Sequence, residues 1–188
     1  MFTDINIETT RLIIRPFSMD DATQLHAVVN QEAVVKYLPE GVMSLSEVKD
    51  VISWLQNCHQ KNTPDKILKF TVAIVWKVNQ LVIGWCGLGP LDFRPTDIEL
   101  FFGLSEQYWG QGIATEAAQA MLTYGFEIIG LPKIAAVVHP ENVASQRVIE
   151  KLGMAYTGQI RGLPEEHRFY EGFLYYELAS ETSTINPC

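Results

Sequence analysis

The sequence predicts an α+β fold built around one central mixed sheet. Three observations carry this. Runs rich in β-branched and aromatic residues cluster in the middle of the chain, as in "KFTVAIVWK" and "LVIGWCGLGPLD". Helical spacing of apolar residues dominates on either side of them, in "SLSEVKDVISWLQNCHQK" and "TEAAQAMLTYGFEII". The resulting order is a strand, two helices, three strands, a helix, a strand, a helix and two strands, without repeats or low-complexity linkers. The chain of 188 residues is long enough for one domain with a substantial core. Its 47% hydrophobic and 19% charged residues are a globular composition, not a disordered one. A single domain over 1–188 is expected, with its ordered core over about residues 8–180.

Each element has its own local reason. "RLIIRPF" (Arg11–Phe17) is a β-branched run ended by proline, which reads as a strand. In "SMDDATQLHAVVN", Ser18 is a candidate N-cap, Asp20 and Asp21 suit the first turn, and Ala22, Leu25, Val28 and Val29 recur at helical spacing. The next helix has Ser46 as its candidate cap and Val48, Val51, Ile52 and Leu55 as its apolar stripe. Lys69–Lys77 and Leu81–Asp92 read as strands joined by a tight hairpin across "VNQ", and Asp97–Ser105 as a third strand. Thr115–Ile129 is rich in strong helix formers and is stopped by Gly130 and Pro132. Lys133–His139 reads as a buried strand, and "NVASQRVIEKLGM" as a helix ending near Gly153. "AYTGQIR" and "FYEGFLYYELAS" read as two closing strands, and the tail "TSTINPC" as a frayed end.

Composition excludes several functional classes. Lys and Arg number 14 against 22 Asp and Glu, a net charge of −8, and no basic cluster marks a nucleic-acid surface. An acidic balance suits a cationic substrate, though it also serves solubility. Cys58, Cys86 and Cys188 are odd in number and lack metal-ligand spacing, so neither a disulfide framework nor a metal site is expected. The N-terminal "MFTDINIETTRL" does not read as a signal peptide, and no apolar run is long enough to span a membrane. The expected compartment is the cytoplasm.

The chemistry gathers at "SEQYWGQGIATEAAQAML". A helix start carries unpaired backbone N–H groups and the positive end of the helix dipole. Gly110 and Gly112 remove side chains where a ligand would approach the backbone. Together these make an anion site, most often for phosphate. A kinase-type P-loop needs a lysine after the second glycine, and none follows. A dinucleotide fingerprint needs a third glycine, and the residue there is Thr115.

"QYWGQGIA" instead resembles the acyl-CoA loop pattern Q/R-x-x-G-x-G/A, set between a strand and a helix. With "TTRLIIRPFSMDDA", "YWGQGIATEA" and "HPENVASQRVIEKLGM" in this order, nearly the whole chain resembles the GNAT acetyltransferase superfamily. It is most similar to the Rim-type (RimJ/RimL) branch, which acetylates the N-termini of ribosomal proteins. The resemblance implies a mixed, mostly antiparallel sheet in which the strands Ile98–Leu104 and Lys133–His139 splay apart. The pantetheine arm of acetyl-CoA would lie in the gap, pairing with backbone near Phe102, Gly103 and Leu104. Its pyrophosphate would lie on the N–H groups of Trp109, Gly110, Gln111, Gly112, Ile113, Ala114 and Thr115. Asn142 resembles the family asparagine that contacts the cofactor. Core packing is an equally open reading for Phe101 and Phe102.

The reaction implied is acetyl transfer from a thioester to a primary amine, on a protein N-terminus or a small molecule. The amine must lose its proton to attack, so a general base is useful. Glu99 is the candidate: it interrupts the apolar run "IELFF", and it resembles the catalytic glutamate of many members by its distance from the glycine loop. A solvent-facing glutamate on an alternating strand is the other reading. An N–H of the same strand would hold the oxyanion. Where many members carry a tyrosine that protonates the thiolate, this chain has Ile149. Ser145 resembles the Rim-branch serine and is the candidate donor, with water or a first-turn hydrogen bond as its alternatives. His139 is expected to be satisfied locally, Arg147 to be exposed, and Trp54, Trp76 and Trp85 to pack. The acceptor is expected between Val34–Leu45 and Arg161–Phe169, where Glu40, Glu165 and Glu166 are available to attract an amine. A monomer or homodimer is expected. A catalytically idle acyl-CoA-binding module and, less well supported, a nucleotide-binding oxidoreductase are the competing functions.

Overall fold

The computed structural model describes residues 2–180. The expected frayed tail and Cys188 lie outside the described residues. Eight strands form one sheet: β1 (Ile7–Glu8), β2 (Leu12–Arg15), β3 (Phe70–Trp76), β4 (Leu81–Leu91), β5 (Arg94–Leu104), β6 (Lys133–Val138), β7 (Ala155–Gln159) and β8 (Leu174–Ala179). Their spatial order is β1-β2-β3-β4-β5-β6-β8-β7. Every neighbouring pair is antiparallel except β5 and β6, which are parallel. The exception follows from connectivity, since a helix crosses over between these two strands while hairpins join β3 to β4 and β4 to β5. The first hairpin closes with Gln80 at φ 59°.

The parallel junction sets up the site. β5 pairs with β4 from Ile98 to Leu104, but it meets β6 at one register position, Glu99 opposite Ala135. Beyond that point the two strands have separate partners, which is the splay expected from the sequence. Alternation along β5 sends Leu100 and Leu104 to one face, with Ile98 and Phe102 packed beside them, and sends Asp97, Glu99, Phe101 and Gly103 to the other.

Helices cover both faces. α1 (Ala22–Val29), α2 (Glu32–Val35) and α3 (Leu45–Lys61) bury Leu25, Val29, Val35, Val48, Ile52 and Leu55 against Ala73, Val75 and Val82. α4 (Ile113–Thr123) and α5 (Val143–Lys151) bury Ile113, Ala117, Met121 and Ile149 against the opposite face, in the larger core. A third cluster forms beyond β5 from Leu91, Ala135, Ile160, Phe173 and Tyr175.

Several boundaries differ from the sequence reading. The cap of α3 is Ser44, not Ser46: its N–H donates to Glu47 Oε2 at 2.7 Å, and Glu47 N–H donates back to Ser44 Oγ at 3.3 Å. The pair Ser44-x-x-Glu47 is a capping box, so Ser46 falls inside the first turn. α4 begins two residues earlier than expected, at Ile113, and passes into a π-helical turn over Tyr124–Ile129. Ser18 opens a 3₁₀ turn, Met19–Asp21, before α1. The last strand starts at Leu174, because Glu165–Tyr170 forms a 3₁₀ turn and Gly172 at φ 85° redirects the chain. The short β1 and α2 are too brief to leave a periodic pattern. Trp76 and Trp85 pack as expected, whereas Trp54 is 52% exposed on α3.

Candidate active site

The glycine loop is shaped by conformation. Gly110 and Gly112 have φ of 73° and 75°, which other residues rarely adopt. A Cβ on Gly110 would meet nothing within 4 Å, so open space lies against the backbone there. Gly112 is the N-cap of α4, and the first helical bond runs from Glu116 N–H to the Gly112 carbonyl at 3.1 Å. The N–H groups of Ile113, Ala114 and Thr115 therefore have no acceptor within the helix. Ile113 buries its side chain fully and anchors this turn. Gln111 ties the loop to itself through Nε2 and the Gln107 carbonyl at 2.9 Å. Trp109 donates its indole N–H to the Leu104 carbonyl at 2.6 Å, joining the loop to the end of β5. An open cradle of backbone N–H groups at a helix start fits a diphosphate.

The strand gap adds the remaining residues of this group. Phe102 packs against the larger core. Gly103 lies under the Trp85 ring, where a Cβ would come within 2.2 Å, so its glycine is required by packing. Leu104 is buried. Past the end of β6, Asn142 caps α5 by accepting from Ser145 N–H at 3.2 Å. Its oxygen is partly committed to the cap, and its amide hydrogens remain for a ligand. The Ser145 hydroxyl makes no hydrogen bond among the described residues. Ile149 is buried in the larger core.

Glu99 sits where β5 and β6 part. Its side chain is 19% exposed, with Lys69 Nζ 3.9 Å away. Lys69 also stands 4.1 Å over the Phe101 ring, and its stem crosses Gly89, where a Cβ would come within 2.9 Å. Burial pushes the Glu99 carboxyl up to about 7; Lys69 opposes this and the Asp92 carboxylate adds to it. Glu99 is therefore neither a free surface carboxylate nor a tightly neutralised one. Nearby, Tyr170 donates to Asp92 at 2.8 Å and Tyr175 donates to Asp97 at 2.7 Å.

On the same side lies a cleft of about 400 Å³, lined by Lys36, Tyr37, His139, Glu141, Phe169, Glu171 and Phe173. Tyr37 stacks on His139 at 4.8 Å, His139 meets Phe173 edge-on at 5.0 Å, and Tyr170 and Phe93 continue the row of rings. The two loops expected to frame the acceptor both contribute, through Lys36 and Tyr37 from one and Phe169 from the other. The acidic residues expected to face it do not line the cleft. Glu40 and Glu166 are exposed, and Glu165 pairs with Arg168. His139 is satisfied locally, accepting from Glu141 N–H at 3.1 Å, and Arg147 is exposed. Lys69, Asp92 and Tyr170 escaped the sequence reading, because only the folded chain brings them near Glu99, and Tyr37 was not singled out within the Val34–Leu45 loop. No helix among the described residues is long and apolar enough to cross a membrane, and no group of three or more potential ligands is placed to hold a metal.

Residues 11–155 match the family model described as "Acetyltransferase (GNAT) domain". The chain is 31% identical over 178 residues to the uncharacterized N-acetyltransferase YnaD of Bacillus subtilis, covering 94% of this chain and 99% of the relative. A crystal structure of a GNAT-family acetyltransferase from Bacillus anthracis superposes with a TM-score of 0.75 at 27% identity, covering 93% of this chain and 98% of that one. RimL, a ribosomal L7/L12 α-N-protein acetyltransferase solved with coenzyme A, superposes with a TM-score of 0.75 at 18% identity, covering 93% and 98%. At that identity the likeness concerns the fold.

Proposed function

The chain belongs to the GNAT acetyltransferase family and is an N-acetyltransferase; from that premise we propose that it transfers the acetyl group of acetyl-CoA to a primary amine by direct attack in a ternary complex. The acceptor is the terminal amine of a protein or a small-molecule amine. Acetyl-CoA supplies the thioester. Trp109–Thr115 would hold its diphosphate, backbone of Phe102, Gly103 and Leu104 its pantetheine arm, and Asn142 its amides. Glu99 takes a proton from the amine, directly or through a water. Ser145 returns a proton to the departing sulfur.

The observation that carries this reading is the placement of Glu99. It is a largely desolvated carboxyl with its pKa near 7, at the point where the two central strands separate. A base whose pKa lies near the working pH is effective, since it is ionised often enough and still accepts protons readily. The aromatic cleft on the same side gives an acceptor a place to dock.

The test is release of free thiol from acetyl-CoA over a panel of primary amines, alongside melting with CoA. CoA should raise the melting temperature, because a ligand bound only by the native state stabilises it. Gly112→Val should remove that rise, since valine strains φ 75° and fills the approach to the loop. Thiol release with at least one amine supports the transferase. CoA binding with no release across a broad panel would point to a binding module instead.

A further inference from the structure

The glycine loop is braced by residues about a hundred positions earlier in the chain. Glu116, in the first turn of α4, accepts from Thr9 Oγ1 at 2.6 Å, from Arg11 N–H at 2.8 Å and from Arg11 Nε at 2.7 Å. Arg11 Nη1 reaches on to the Gln111 carbonyl at 2.9 Å. Arg11 Nη2 lies 3.7 Å from where a Cβ on Gly112 would stand, beside the loop itself.

This arrangement resolves a conflict of charges. A carboxylate in the first turn favours the helix, but it opposes any other anion arriving at the same end. Glu116 is such a carboxylate, only four residues past Gly112. The Gln111 carbonyl, within the loop, also carries its negative end toward any ligand it faces. One guanidinium engages both. Lysine would bring the charge without the planar fork that reaches two acceptors at once.

We propose that Arg11 is a positioning residue for the diphosphate of the acyl donor: by engaging Glu116 and the Gln111 carbonyl it keeps the open side of the Gly110–Gly112 loop electropositive. The assignment rests on the acyl-CoA reading given above. It differs from a plain structural ion pair in one measurable way. Losing either half of a structural brace damages the loop alike, whereas here the two halves act on the ligand with opposite sign. Glu116→Gln keeps one oxygen for Thr9 and the Arg11 backbone N–H, puts an amide that cannot accept opposite Arg11 Nε, and removes the opposing charge, which leaves the guanidinium to the loop.

The experiment is calorimetric titration of CoA into the parent, Arg11→Met, Arg11→Lys, Glu116→Gln and the double variant Arg11→Met/Glu116→Gln. Pantetheine, which lacks the diphosphate, is titrated in parallel by ligand-observed NMR. Arg11→Met should weaken CoA by about tenfold or more, from a charge placed at a helix terminus and the affinity scale. Arg11→Lys should fall between it and the parent. Glu116→Gln should bind CoA as well as the parent or more tightly, and the double variant should regain part of the loss. Pantetheine affinity should be the same for parent and Arg11→Met. Equal weakening by Arg11→Met and Glu116→Gln, or a loss for pantetheine matching that for CoA, overturns the assignment. Should Arg11→Met fail to fold, Glu116→Gln alone decides, because weaker CoA binding there contradicts the proposed sign. A parent that binds no CoA defeats the acyl-CoA reading itself, which a normal parent with indifferent variants does not.

Discussion

At the scale of single residues, the site turns on how one carboxyl is solvated. Burial raises Glu99, Lys69 at 3.9 Å lowers it, and Asp92 raises it, for a value of about 7. A base works when ionised, so kcat/KM should climb as pH rises through about 7, in addition to the climb at higher pH from deprotonation of the acceptor amine itself. Glu99→Gln should lower turnover by roughly ten- to ten-thousand-fold and flatten the first climb, the lower bound applying where water substitutes. A pH–rate profile from 5.5 to 9 with an accepted amine checks this. An unchanged inflection in the variant would move the base elsewhere. Ser145 should matter less. Its hydroxyl is uncommitted among the described residues, and a thiolate with a pKa near 8.5 leaves readily at neutral pH. Turnover of Ser145→Ala at saturating substrates should drop by roughly three- to a hundred-fold, always less than the loss at Glu99. No loss, with chemistry rate-limiting, would leave water as the donor.

At the scale of elements, capping chemistry decides where helices begin. Ser44→Ala should cost about 1 kcal/mol, since it removes the acceptor for Glu47 N–H and the serine half of the box, and Ser46→Ala should be nearly neutral. Urea titrations of the two variants separate these outcomes. The same box shows how much was legible. "MSLSEVKD" contains both Ser44-x-x-Glu47 and a serine nearer the apolar stripe, and only the reciprocal side-chain bond chooses between them. The glycine loop, the helix behind it, and the strands bearing Glu99 and Ala135 were all readable, because each rests on local spacing or turn chemistry. The partners of Glu99 were not. Lys69 immediately precedes β3, Asp92 sits in the turn between β4 and β5, and Tyr170 sits in a 3₁₀ turn read as strand; only the folded chain brings them together. Arg11 was hidden differently. It stands within a recognisable phrase, "TTRLIIRPF", whose second arginine, Arg15, pairs locally with Asp21, whereas the partner of Arg11, Glu116, is supplied by another motif 105 residues away.

At the scale of the whole molecule, the sheet trades stability for the site. A parallel pair joined at one position leaves β5 and β6 to diverge, and a carboxyl is placed at the fork where an apolar side chain would pack more favourably. The cost depends on pH, and its sign follows from proton binding. Glu99 has a folded pKa of about 7, above the ordinary 4.5. Between those values the folded protein holds a proton that the unfolded chain has released. Folding is therefore favoured by protonation, and the stability associated with this residue declines as pH rises from about 4.5 and is lost above about 7. A shift of that size corresponds to at most about 3 to 4 kcal/mol, using about 1.4 kcal/mol per pKa unit. Glutamine keeps the shape without the charge. Glu99→Gln should thus melt higher than the parent at pH 8.5, by several degrees for a chain of this length, while the two melt nearly together at pH 5. Lys69 does not reverse the sign, because its side chain is 27% exposed and can turn to water once its partner is neutral. The measurement is a pair of thermal scans at each pH on apo protein, with turnover recorded on the same samples. A variant that is more stable at high pH and less active has lost a group held in place for chemistry. A variant less stable than the parent at pH 8.5 would instead make Glu99 half of a stabilising pair with Lys69, and the fork between β5 and β6 would need another base.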